Sequence, residues 1–546
     1  KKEKQFHCIS LTKIIVLLLR TIKSAILFKN IIKIFSGTFI SRVFGFIREI
    51  VVASFFGTGR IADAFTLALI FPNLFRQVLG EDMVERAFMP PFKSMYDKGD
   101  KEKSWRFVSI VFNWFFISLL AVTFLLYLVV PLFFSLKDSF PELFGFIFKD
   151  KSFDYDLALH LIKIILPFTI FIGVAAFVGS MLNFFSKNWI FGLAPASLSI
   201  GVIIGIYTLY PVIGGYSIAV GYVFGAFLQM AIQLPFIFNK KFRSETNLKY
   251  SGFKLKDKSN DFKTIKRESK LITLNALFDK SQEIFGRFFA ATLIAGSTSS
   301  LFYAARLFQL PFAIISLPIT RGINPELNKM KALNDKVKFN NTFQKGLDLY
   351  LLIFIPLTTF LIISAPEIVD IVFRRGNFDK HSLTLTTKAF VMYSFGLLPM
   401  SLVGYYKRVL SLFDKNKYAL RISIIGAVLN ILFAITIVKT TTAGHEGIAL
   451  ASSLAFFINM LILGKYLNRE LKEFVQRKIP IIEIFLLIIL VAVFIFVSKY
   501  FELYFFETKS ISLLSISIKA ISVFTVFGIF YFIIPKFHRI LKDFLR

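Results

Sequence analysis

The chain has 546 residues, 55% of them hydrophobic and only 18% charged, where soluble proteins carry about 25% charged residues. Its charges gather between apolar runs of about 20 residues, the length that spans a hydrocarbon core. This excludes a soluble catalytic domain and predicts an all-α polytopic membrane protein. A net charge of +31 would suggest nucleic acid in a soluble chain, but here the charge reports loop orientation, and no nucleic acid partner is expected.

Residues 1–30 form an extension. Ile9 to Leu27 is apolar but interrupted by Lys13, Arg20 and Lys23, which suits an amphipathic helix on the anionic inner leaflet; a dispensable tail is the preferred reading. Cys8 is the only cysteine, so a disulfide framework or thiolate metal site is excluded. The five histidines (His7, His160, His381, His445, His538) are scattered, and no metal site or cofactor is expected. Apolar runs then predict about fourteen transmembrane helices. They lie near 31–56, 61–80, 107–135, 157–184, 190–210, 214–238, 271–295, 299–322, 347–365, 384–406, 418–438, 446–464, 480–499 and 511–535. Lipid offers the backbone no hydrogen bonds, so each run should be a helix.

The loops alternate in charge. One set is basic: Lys98 to Arg106, Lys187, the segment 240–270, Lys329 to Lys338, Lys407 to Arg421, Lys465 to Lys478 and the C-terminal tail. The other is neutral or balanced; in 136–156, Asp138, Glu142, Asp150, Asp154 and Asp156 outnumber Lys137, Lys149 and Lys151. The positive-inside rule puts both termini in the cytoplasm.

The chain also repeats itself. Arg48, Gly57 and Pro72 recur as Arg287, Gly296 and Pro311 at one offset, and Phe185-Ser-Lys-Asn188 recurs as Phe413-Asp-Lys-Asn416. This predicts two six-helix lobes in parallel, pseudo-twofold repeat, the common plan of transporters with a central site. The N-lobe is 31–239, a basic cytoplasmic linker is 240–270, and the C-lobe is 271–468. Residues 469–546 hold two further spans and the tail.

Four arginines have no loop to occupy. Arg42 and Arg48 lie in the first span, Arg76 in the second and Arg306 in the eighth. Each costs about 2.5–3.5 kcal/mol at mid-bilayer unless it faces water or a partner. Glu49, Asp63 and Glu81 are the nearest acidic candidates, too few for all four. A hydrated cationic cavity is expected, and arginine's planar fork suits a phosphate or pyrophosphate headgroup. Snorkelling to the surface or local pairing is the bland alternative. A bend near Gly45 would let Arg42 and Arg48 face one cavity, and Pro72 would loosen the second span before Arg76. Glu283 and Arg287 are spaced for an ion pair. Asp279 is a candidate for a coupling cation or for a local hydrogen bond. Glu81, Asp82 and Glu85 read as a gate or as a helix end. No phosphate-binding nucleotide loop is present in the sequence, so energy is expected from a coupling cation or the membrane potential.

Ser41-Arg-Val-Phe-Gly-Phe-Ile-Arg48, Ala62-Asp-Ala-Phe65, Pro72-Asn-Leu-Phe-Arg76 and Ala87-Phe-Met-Pro90 resemble the start of the MurJ/MviN family. Those are lipid II flippases of bacterial peptidoglycan synthesis, within the MOP exporter superfamily. Tyr303-Ala-Ala-Arg306-Leu-Phe-Gln-Leu-Pro311 and Phe373-Arg-Arg-Gly-Asn-Phe378 resemble two later motifs. The resemblance covers nearly the whole chain beyond residue 30. It implies two six-helix lobes, a hydrophobic groove for the polyprenyl tail lined by the last two spans, and alternating access in the bacterial cytoplasmic membrane. It implies that Arg42, Arg48, Arg76 and Arg306 hold the pyrophosphate, with Asp63, Asn73 and Glu81 in gating or supporting roles. The implied substrate is lipid II or a similar undecaprenyl-pyrophosphate-linked glycan, with membrane lipids and cell-wall synthesis proteins as further partners. Ala305 and Gln77 depart from the family, which often has an acidic residue and an arginine there. A MOP exporter of another lipid-linked oligosaccharide or a drug is the alternative, and a polyprenyl-linked glycosyltransferase or a membrane scaffold stands further off. Transport, not catalysis, is the expected activity.

Overall fold

The computed structural model describes residues 40–76, 83–85, 88–139, 153–185, 187–246, 252, 283–475 and 513–533. All regular structure among the described residues is helical, as lipid demands of a backbone that must satisfy itself. Eight of these helices are long and apolar enough to cross a membrane, nine when one bent pair is taken as a span. The expected span 480–499 and residues 271–282 of the expected span 271–295 lie outside the described residues.

Proline and glycine set the departures from uninterrupted spans. Helix Arg60–Ala68 ends at Leu69 and Ile70–Phe75 follows; Pro72 has no N–H to donate to Ala68 and its ring crowds that carbonyl. Tyr155–Ile165 and Phe168–Phe184 are separated at Leu166-Pro167. Lys380–Ser394 and Leu397–Leu412 meet at a 45° bend around Phe395-Gly396. Between the expected spans 347–365 and 384–406 lies a helix, Ala365–Phe373, with proline in its first turn, where the missing N–H costs nothing. The first described helix, 40–56, runs unbroken through Gly45.

The chain divides into two compact units. The first comprises Lys1–Glu49, Phe75–Leu128 and Lys163–Thr273. In it, Asn188–Ile213 and Tyr216–Phe238 pack backbone to backbone along small residues. A Cβ on Gly201 would lie 2.5 Å from the Gly225 Cα, and one on Gly205 would lie 2.6 Å from the Gly221 Cα. Such stripes let helices approach closely where lipid supplies no hydrophobic drive. The short helix Met89–Asp97 is started by Pro90 and Pro91. It buries Phe92 among Phe88, Trp105 and Phe184, with ring centroids 5.0–5.8 Å away. Trp105 Nε1 donates to the Thr246 carbonyl at 2.8 Å, fastening helix Lys240–Thr246, which occupies the start of the expected linker.

The second unit comprises Ile50–Leu74, Val129–Ile162 and Leu274–Arg546. Lys380–Ser394 packs against both Ser297–Pro311 and His445–Glu470. Ser297–Pro311 continues through a π-helical turn, Phe312–Ser316, into Leu317–Ala332. Tyr350 Oη donates to the Ser316 carbonyl at 2.9 Å, so the carbonyl at the end of this wider turn has a partner. Helix Leu513–Ile533 rests on Lys336–Ile363 and Ala365–Phe373, and Lys519 on it forms a buried ion pair with Glu367.

Both repeat anchors recur as local geometry. Gly57 and Gly296 take left-handed backbones, φ 54° and 89°. Lys187 N–H reaches back to Leu182 O at 2.9 Å, and Lys415 N–H to Leu410 O at 3.0 Å.

Candidate functional site

In the second unit a carboxylate from one helix caps another. Helix Ser297–Pro311 begins at Gly296, and its first N–H groups have no partner within the helix. Asp63, on Arg60–Ala68, fills that role. One carboxylate oxygen accepts from Gly296 N–H at 2.6 Å, the other from Ser299 N–H at 2.8 Å and Ser299 Oγ–H at 2.6 Å. Asp63 is 4% exposed. A negative charge there also meets the positive end of the helix dipole, a favourable term that low dielectric strengthens. A buried aspartate in a span is thereby satisfied by backbone and hydroxyl donors of a second helix.

Neighbouring turns are stitched around the cap. Tyr303 Oη donates to Gly57 O at 3.0 Å. Asn377 N–H donates to Ser54 O at 2.8 Å, and Asn377 Nδ2 donates to Phe55 O at 2.6 Å. Thr58 and Ser382 share a hydroxyl hydrogen bond of 2.8 Å. Gly57 has no room for a side chain, since a Cβ there would run into the Asn377 backbone. Asp379 caps the helix that begins at Lys380; the Ser382 N–H it accepts holds its carboxyl below the usual aspartate range.

Arg306 lies seven residues beyond Ser299, about 10 Å further along the same helix. It is half-buried, and its guanidinium carbon sits 4.7 Å from the centroid of Phe302. The buried Arg287 sits 5.1 Å from that same ring, pairs with Glu283 and donates to Thr66 O at 3.0 Å. The Glu283–Arg287 ion pair expected from spacing is therefore present.

In the first unit Arg48 pairs with Glu49 at 2.6 Å, and its guanidinium carbon lies 5.2 Å from the Tyr222 ring centroid. Arg42, Arg76 and Asn73 are half-buried. Arg42, Arg48 and Arg76 belong to the first unit; Asp63, Asn73 and Arg306 belong to the second. Of the expected acidic residues, Glu81 and Asp279 lie outside the described residues. Ser299, Phe302, Tyr303 and Asn377 were not singled out for these roles from sequence. The matched glycines, 57 and 296, were the one signal that two distant turns share a purpose.

Residues 52–535 match the family model for the lipid II flippase MurJ. The chain belongs to that family. It is 27% identical over 513 residues to a probable lipid II flippase MurJ of Buchnera aphidicola (Schizaphis graminum), covering 93% of this chain and 96% of that protein. A probable MurJ of Borreliella burgdorferi is 28% identical over 478 residues, 87% and 88% of the two chains. Among solved structures, a lipid II flippase MurJ in an inward closed conformation superposes with a TM-score of 0.72 at 24% identity, covering 94% of this chain and all of that one. An inward-facing multidrug MATE transporter of the MOP superfamily follows with a TM-score of 0.63 at 14% identity, over 78% and 93% of the chains. The described helices thus share the fold of a solved MurJ and, over most of the chain, that of a MATE transporter.

Proposed function

We propose that this chain carries lipid II from the inner to the outer leaflet of the bacterial cytoplasmic membrane by alternating access, as a transporter without a catalytic step. The observation that carries the reading is Arg306. It is a permanent cation held about 10 Å inside a span whose first turn is capped by Asp63. A cation that cannot shed its charge, kept at the expense of insertion energy, serves an anionic cargo, and its fork matches pyrophosphate oxygens. Arg42, Arg48 and Arg76 join Arg306 on the headgroup in this reading. With both termini cytoplasmic, the turns at 57–59, 296 and 374–379 face outward. Asp63 and the bonds around it then hold the outer side shut, while Asn73 and Glu81, further along the second span toward its cytoplasmic end, take gating or supporting roles on that side.

The polyprenyl tail has a place in the same scheme. An apolar groove of about 380 Å³, lined by Ile315, Leu352, Pro356, Phe524 and Phe527, lies against the helix Leu513–Ile533. Its walls are almost entirely hydrocarbon, which suits an isoprenoid chain. The driving force is a coupling cation, with Asp279 its candidate ligand, or the membrane potential, worth about 2.3 kcal/mol per charge per 100 mV. Cell-wall synthesis proteins are the expected partners.

Complementation tests this reading. In cells depleted of their own lipid II flippase, expression of the full chain is expected to restore growth and wall synthesis. Correct insertion without any rescue would reject lipid II as the cargo.

A further inference from the structure

Phe302 is 1% exposed and stands within about 5 Å of two guanidinium groups, Arg306 at 4.7 Å and Arg287 at 5.1 Å from its centroid. Phe302 and Arg306 are four residues apart on Ser297–Pro311 and share a face. Arg287 comes from the neighbouring helix 283–290. Aromatic rings attract cations through their negative faces, and the attraction strengthens when the pair is desolvated. Two like charges drawn to one ring repel each other. Glu283 offsets this by pairing with Arg287, and Thr66 O accepts a further Arg287 hydrogen bond. Arg287 is thereby fixed by these contacts among others, and Arg306 is half-exposed.

Thr66 lies three residues from Asp63 on Arg60–Ala68. One helix therefore caps Ser297–Pro311 through Asp63 and also reaches its Phe302 face through Thr66 and Arg287. Leucine or methionine at 302 would fill the space without holding a cation. The aromatic ring is explained by what sits on it.

We infer that Phe302 is a positioning residue. It aims the Arg306 guanidinium for the headgroup, and Arg287, tethered to Thr66, holds the ring in place. The inference rests on the reading of Arg306 as a headgroup contact. It adds that the affinity of Arg306 depends on an aromatic face at 302 and on the helix that carries Asp63.

The test is a double-mutant cycle on the full-length protein in nanodiscs, with lipid II as the probe and dissociation constants as the readout. Phe302→Leu is expected to weaken binding about five- to tenfold, and Phe302→Trp, whose ring attracts cations more strongly, to bind as the parent does. In an Arg306→Ala background, Phe302→Leu should cause no further loss. Melting temperatures of all variants identify any that fail to fold. An equal loss from Phe302→Leu with and without Arg306, or no recovery with a well-folded Phe302→Trp, overturns the positioning role. If Arg306→Ala itself binds lipid II as the parent does, the headgroup reading fails first and the positioning role fails with it.

Discussion

Asp63 is a buried carboxylate whose charge is met by hydrogen bonds from a second helix. Its oxygens accept three hydrogen bonds from Gly296 and Ser299, and hydrogen bonds to a charged group contribute about 1.5–3 kcal/mol each. Asp63→Asn keeps the shape but turns an amide N–H toward a row of donors. It is expected to cut transport at least tenfold while the protein still inserts, measured as precursor exposure per inserted molecule. Ser299→Ala removes one of the three bonds and should fall between parent and Asp63→Asn. Asp379 gives a pH prediction outside the spans. Its carboxyl is held below the usual range by Ser382, so its stabilising effect is present above the unfolded pKa and is lost as pH falls through the lowered value. Asp379→Ala should lower stability by about 1 kcal/mol at neutral pH. That deficit should vanish in strong acid, read by thermal melting across a pH series. Of these contacts, the sequence disclosed Asp63, as an acidic residue near the arginines and within a family motif, but not its partners. Gly296 and Ser299 lie 233 and 236 residues away, and no local pattern encodes so distant an acceptor–donor pair. Arg48 was legible as a costly cation, and its neighbour Glu49 now accounts for part of its charge balance.

At the scale of elements, hydropathy exposed the spans because a lipid-crossing helix must be apolar along its full length. Proline foretold the loosened second span before Arg76. The helix Ala365–Phe373 was not legible, since nine residues carrying Glu367 and Asp370 look like a loop when no span length demands a helix. Glu367 is drawn inward by Lys519, a partner 152 residues away. Removing one member of such a buried pair costs about 3–5 kcal/mol because the other charge is stranded. Glu367→Gln is expected to lower the melting temperature and loosen Leu513–Ile533, whereas the exchange Glu367→Lys with Lys519→Glu should recover much of the loss. The glycine stripe yields a steric prediction. Gly225→Leu would force Asn188–Ile213 and Tyr216–Phe238 apart, since a Cβ already meets the Leu198 backbone. Overpacking of this kind costs about 1–3 kcal/mol, visible as reduced thermal stability in detergent.

For the molecule as a whole, alternating basic and neutral loops predict a topology, and arginines within the spans underlie the proposal of an anionic cargo. Both signals come from the same fact, that lipid makes charge expensive. A basic residue survives in a cytoplasmic loop at no cost, and inside a span only where it has work to do. The membership of the chain in the MurJ family joins these two signals into one machine. In the proposed cycle the arginines hold the headgroup, and release of the Asp63 cap on Ser297–Pro311 lets it leave. How Arg306 is aimed was not legible in the sequence, because an aromatic residue in an apolar span looks like packing until a guanidinium is found on each of two helices beside it.

The most direct measurement places the parent chain or Arg306→Ala in cells depleted of their own lipid II flippase and quantifies lipid II exposed on the outer leaflet, normalised to inserted protein. The parent should restore exposure and Arg306→Ala should not. Equal exposure with both would show that Arg306 does not hold the cargo, and a parent that leaves the precursor inside would contradict the transport of lipid II itself.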